Sequence, residues 1–287
     1  MDLILILQNN TAAFIAAVFV VGLLVGSFLN VVIYRVPVMM QRVWDREIAE
    51  IQGQSVEDHT TFNLIKPDST CPHCGHAIRA WENIPVISYV FLKGRCSACK
   101  ASISPRYPII EALTAGLSGV VAWKFGVSLE TAALLVFFWS LVALTMIDVD
   151  HQLLPDSITL TLLWLGLLLN LDGLFESINS AVIGAVAGYL SLWSVYWAFK
   201  LLTGKEGMGY GDFKLFAAFG AWFGWMALPL IILLSSLVGA VVGIVMIAVM
   251  GRDRQIPIPF GPYLCGAALV YVFWGDAIMS WYLGSFA

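Results

Sequence analysis

The chain has 287 residues, 60% of them hydrophobic and only 12% charged, with a formal net charge of -4. Its mean hydropathy is +0.85. Soluble domains carry about a quarter charged residues, so this composition excludes an ordinary soluble globular protein and predicts a polytopic membrane protein.

In chain order, residues 1–13 (MDLILILQNNTAA) lack a basic segment, since the only early charge is Asp2. They are not expected to be a cleaved signal peptide. Apolar runs then predict about eight transmembrane helices, at roughly 12–34, 108–124, 130–147, 157–171, 180–200, 214–229, 231–250 and 259–283. The expected fold class is all-α and polytopic. The expected domains are a first span (1–35), a hydrophilic loop (36–107) and a membrane core (108–287).

Nine of the fifteen Lys and Arg residues lie between Arg35 and Arg106. The positive-inside rule places that loop in the cytoplasm. Threading eight spans from it puts the N-terminus in the periplasm and leaves only Lys124 of the basic residues outside. GAVAG at 184–188 and GAVVG at 239–243 are expected to be sites of close helix packing.

A loop of about 70 residues is marginal as a free-standing core. It holds CPHCG at 71–75 and CSACK at 96–100, two C-x2-C pairs separated by 21 residues. In a reducing cytoplasm this spacing predicts a zinc-ribbon-like fold, with Cys71, Cys74, Cys96 and Cys99 holding a structural zinc ion. His73 and His76 stand beside the first pair as alternative ligands. Cys265 is expected to be a small core residue.

Ionisable residues at membrane spans are costly and invite a functional reading. They fall in two places. LTMIDVDHQLLPD at 144–156 offers Asp148, Asp150, His151 and Asp156, and GYGD at 209–212 offers Asp212. The threading places both at the cytoplasmic edge. Two carboxylates that meet there form the acid–base pair of an aspartic protease. Gly207, Gly209 and Gly211 would open the helix entrance to an extended peptide. The competing readings are structural: Asp150 and Asp156 as interfacial or capping residues, His151 as a surface residue, and Asp212 as an N-cap or a partner of Lys214. Glu111, in PIIEALTA, reads equally as a site residue or as an interhelical hydrogen-bond partner.

These motifs in order, with GSFLNVVIYRVP at 26–37, SPRYPIIEALTA at 104–115 and PIPFGPYL at 257–264, resemble the type IV prepilin peptidases along nearly the whole chain. The GxGD motif is also similar to that of presenilin-like intramembrane proteases, which lack the cysteine loop. The resemblance implies a bifunctional inner-membrane enzyme. It would cleave the basic leader from prepilins and pilin-like secretion subunits after a glycine, then methylate the new N-terminus with S-adenosylmethionine. It implies Asp212 as one catalytic aspartate and Asp148, seven residues before Pro155, as the other. No residue is assigned to S-adenosylmethionine, because GMGYG lies between membrane segments and is no Rossmann loop. Lipid is an expected partner and nucleic acid is not. The competing functions are a proton-coupled transporter using the same carboxylates and a non-enzymatic secretion scaffold.

Overall fold

The computed structural model describes residues 7–53, 61–248 and 258–284. Asp2, and Arg252 and Arg254 of the basic residues threaded to the cytoplasmic side, lie outside them. Among the described residues there are helices and isolated bridges but no strand.

The long helices are α1 (Thr11–Ile51), α3 (Arg106–Phe125), α4 (Leu129–His151), α5 (Asp156–Leu169), α6 (Ile178–Thr203), α7 (Tyr210–Phe223), α8 (Leu228–Ala248) and α9 (Gly261–Gly284). A short α2 (Ile87–Phe91) lies in the cysteine loop. Each predicted span overlaps one of these helices, but the break expected near Pro229 falls earlier, at Gly224, whose φ of 75° ends α7, so that Pro229 lies in the first turn of α8. Among the described residues, five segments are long and apolar enough to cross a membrane: Thr11–Ile51, Leu129–His151, Ile178–Thr203, Trp225–Ala248 and Gly261–Trp281. Helices α5 and α7 have 14 residues each, about 21 Å of helix against a hydrocarbon core of about 30 Å.

The chain forms two compact units, Met1–Ala143 and Leu144–Ala287, with the boundary inside α4.

In the first unit, α1 continues as helix well past the predicted span end at 34 and contains Pro37. The stretch after the proline, MMQRVWDREIAE, is rich in good helix formers, which carry the helix past the break. Helices α1 and α3 pack through small residues. A Cβ on Gly22 would lie 2.8 Å from Ala115 Cα, and one on Gly26 would lie 2.7 Å from Glu111 Cα. The buried Arg35 guanidinium donates to the carbonyls of Asn63 (2.9 Å) and Pro67 (2.6 Å), which ties the loop to α1.

In the second unit, α7 is the centre. From Asp212 to Phe223 every residue of α7 except Lys214 is buried. Helix α6 lies against it through the predicted GAVAG seam, where Gly184 meets Gly220 backbone to backbone. One turn on, a Cβ on Gly188 would lie 2.7 Å from Phe216 O. Helix α5 docks by the Trp222 indole N–H, which donates to Leu162 O at 2.8 Å. The far end of α7 is held by Asn170, fully buried. Its amide donates to Ala221 O and Trp222 O, both at 2.9 Å, and its oxygen accepts from the N–H groups of Phe175 and Glu176, both at 3.0 Å. The GAVVG glycines meet side chains rather than another helix backbone: Gly239 faces the Tyr263 ring and Gly243 faces Ile258.

Candidate active site and metal centre

Helix α4 ends because Gln152 adopts a left-handed φ of 53°, and Asp148 sits in its last turn. Its side chain is buried, 5% exposed. The carboxylate accepts the Gly261 N–H at 2.9 Å. That donor is the first residue of α9, where unsatisfied amides and the helix dipole favour an anion. A Cβ on Gly261 would lie 2.6 Å from the same carboxylate oxygen, so only glycine lets the amide approach.

Asp212 occupies the first turn of α7, again at a helix N-terminus, and is 7% exposed. Its Oδ2 accepts the Gly209 N–H at 3.2 Å. Its Oδ1 is buried and, among the described residues, has no hydrogen-bond partner. The two carboxylates interact electrostatically with each other, and both act on the buried Cys265. Leu154 wedges between the two motifs, against the Cα positions of Gly211 and Gly261. A buried, unpaired carboxylate oxygen costs free energy in the resting protein, and such costs concentrate where chemistry is done.

The other acids separate from this pair. Asp150 and His151 are exposed. Asp156 is not a cap, since the capping position is Pro155. Instead it takes both carboxylate oxygens to Lys214 Nζ, at 2.7 and 2.8 Å. Lys214 is thereby removed as a partner for Asp212. The hinge before Asp212 is fixed by Lys200, which donates to Glu206 (2.7 Å) and Tyr196 (3.2 Å).

In the first unit, the sulfurs of Cys71, Cys74, Cys96 and Cys99 all lie within 4.8 Å of one another, and those of Cys71 and Cys99 are 3.8 Å apart. Zn–S bonds of about 2.3 Å in a tetrahedron require sulfurs roughly 3.8 Å apart, so the four thiols fit a zinc ion. The two knuckles share one turn. The Cys71 N–H donates to His76 O, the Cys96 N–H to Ala101 O, and the residue after each second cysteine (Gly75, Lys100) is left-handed.

His76 is not placed as a ligand. Its Nε2 contacts Glu82 (3.1 Å) and Ser97 (3.2 Å), bracing one knuckle against the other. The Arg79 N–H and the Ser97 hydroxyl hold the Glu82 carboxyl down at about 2. Glu111 is buried between α1 and the loop. It accepts the Val86 N–H at 2.7 Å and a hydrogen bond from Ser27. Val86 has φ 59° and ψ -47°, a strained conformation for a β-branched residue. Sequence reasoning missed Gly261, Leu154, Val86 and Asn170 as organising residues. The Gly-Pro pair at 261–262 was the one visible signal among them.

These features define a class: polytopic helical membrane proteins with a carboxylate pair at helix ends and a four-thiol loop. Comparison with known proteins narrows it. Residues 20–125 match the bacterial peptidase A24 N-terminal domain, and residues 135–244 match the type IV leader peptidase family. The prepilin leader peptidase/N-methyltransferase of Stutzerimonas stutzeri is 59% identical over 96% of each chain. That of Pseudomonas aeruginosa is 55% identical over 99% of this chain and 98% of its own. That of Neisseria gonorrhoeae is 53% identical over 92% and 93%. No solved structure matches significantly. The chain belongs to the type IV leader peptidase family.

Proposed function

We propose that this protein cleaves the leader peptide from prepilins and pilin-like subunits and then methylates the new N-terminus. Its relatives carry both activities in their names, and they align over nearly the full chain. It works as a multi-pass protein of the inner membrane, with residues 36–107 and the peptidase site on the cytoplasmic side and the N-terminus in the periplasm. The loop forms a cytoplasmic domain, and residues 108–287 form a membrane core of seven further spans.

The observation that carries the peptidase reading is the buried Asp212 Oδ1, which has no hydrogen-bond partner among the described residues, on a carboxylate within electrostatic reach of a second buried one, Asp148. One carboxylate accepts a proton from water as the water oxygen attacks the scissile carbonyl. The other, in its acid form, donates a proton to the carbonyl oxygen. Collapse of the tetrahedral intermediate returns a proton to the leaving amine. Gly209 and Gly261 amides orient the two groups, leaving Asp212 Oδ1 for the reacting atoms. The cleavage follows a glycine of the substrate.

Cys71, Cys74, Cys96 and Cys99 hold zinc in a closed shell, so the metal shapes the loop and takes no part in the reaction. S-adenosylmethionine supplies the methyl group. The amine it reaches is the one released by cleavage.

The test is cleavage of a prepilin by the purified protein in detergent, read by mass spectrometry. Asp148→Asn and Asp212→Asn are each expected to abolish cleavage while remaining folded. Substantial cleavage by either removes that residue from the pair. A transporter or a scaffold would bind zinc and fold but cleave nothing.

A further inference from the structure

A groove of about 400 Å³ lies within the second unit. Its walls come from Leu192 on α6, Ile232 and Ala240 on α8, and Tyr263 on α9, together with Met208 and Phe260. Met208 directly precedes Gly209, whose N–H holds Asp212. Phe260 directly precedes Gly261, whose N–H holds Asp148. Consecutive Cα atoms are about 3.8 Å apart, so the groove meets each amide clamp within one residue step.

Among the described residues the lining carries no charged side chain, and its polar side chains are Ser236 and Tyr263. Such a surface rejects a charged peptide, which would lose its hydration without a partner. Ile232, Ser236, Gly239 and Ala240 follow helical spacing and form one stripe of α8. A Cβ on Gly239 would lie 3.2 Å from the Tyr263 ring, so glycine lets that ring lie flat as a side wall. Val195 and Ala240 are exposed at the rim, which leaves the groove open from the side. A volume of this size suits a few large side chains projecting from one face of an apolar helix.

We propose that this groove seats the apolar segment of the substrate on the C-terminal side of the cut, and so delivers the bond to Asp148 and Asp212. The inference rests on the peptidase reading above. It divides the substrate by chemistry. The polar arm stays in water, and the apolar arm lies against α6, α8 and α9. The continuity of the groove with both clamps is what selects a substrate segment over a lipid chain.

The test uses the full chain in detergent, with two substrates: a full-length prepilin and a short soluble peptide covering only the cleavage junction. Wild type is expected to cleave the full-length form with at least about tenfold higher kcat/KM. Ala240→Trp fills the groove from its rim and touches neither carboxylate. It is expected to erase that advantage through a raised KM, with cleavage of the short peptide unchanged. Equal loss on both substrates, or no loss on either, overturns the proposal and leaves lipid as the occupant. A second measurement does not depend on that variant folding. Photo-reactive residues placed along the apolar segment, bound to Asp212→Asn, are expected to label peptides containing Ile232, Ala240 or Tyr263. Labelling confined to other helices overturns it. If wild type cleaves neither substrate while folded, the peptidase reading itself falls, and the groove proposal with it.

Discussion

Helix α7 carries Asp212 into place, and the seam with α6 at Gly188 sets its position. A Cβ added at Gly188 would lie 2.7 Å from Phe216 O and 3.0 Å from Ala217 Cα, whereas ordinary contact begins at 3.4 Å. Gly188→Ala therefore requires about 0.7 Å of separation from a backbone carbonyl, which no rotamer change can supply. Overpacking of this kind costs about 1–3 kcal/mol. Phe216 is four residues, about one turn, beyond Asp212, so the shift passes directly to the carboxylate. A misplacement of about 1 Å at a reacting group costs on the order of a hundredfold in rate. A fall of roughly tenfold or more in kcat is therefore expected, together with a lower unfolding temperature. The assay is steady-state prepilin cleavage with a thermal melt on the same preparation. Gly116→Ala is the control, because nothing lies within 4 Å of a Cβ there. Wild-type cleavage and an unchanged melt for Gly188→Ala would refute the account of how α7 is held.

The Asn170 amide makes four hydrogen bonds while fully buried. Asn170→Asp replaces two donors by an acceptor facing two carbonyls, and a loss of about 2–4 kcal/mol is expected in a denaturant titration. The Lys214–Asp156 pair is partly exposed. Lys214→Ala should cost less than about 1 kcal/mol, with a salt-dependent difference from wild type, and a larger loss would mean the pair positions α7. Cys71→Ser with Cys74→Ser should release zinc, measured by elemental analysis, and make residues 61–105 sensitive to protease. Stoichiometric zinc retained by that double variant would rule out the four-thiol site.

Much of the site was legible because costly residues advertise themselves. An aspartate at the end of an apolar run, or four cysteines in two close pairs, has few explanations. Of the two neighbouring aspartates, Asp148 is enclosed and Asp150 exposed. What was illegible depends on distant partners. The amide that holds Asp148 comes from Gly261, 113 residues later, and no local pattern announces that pairing. Nothing in the sequence around Asn170 marks it, because the carbonyls it donates to belong to another helix. The continuation of α1 beyond residue 34 was not legible, because the apolar run ends there and a proline, Pro37, follows. A proline removes one donor, however, and favourable sequence on both sides carries the helix through it. Asp156 looked like a cap until Lys214 arrived from α7 to claim it.

The unbroken α1 has a consequence for length changes. A helix advances about 100° per residue, so Gly26, facing α3, and Arg35, nine residues on, point about 180° apart. One face is committed to α3 and the other to the carbonyls of Asn63 and Pro67. Deleting a single residue between them would swing the guanidinium by about 100° and strand its buried charge. Inserting seven residues would nearly restore the bearing but lift it about 10 Å along the axis. The azimuth and the height at which the cysteine loop joins the membrane part are thus both indexed by this one helix, and neither can drift without the other.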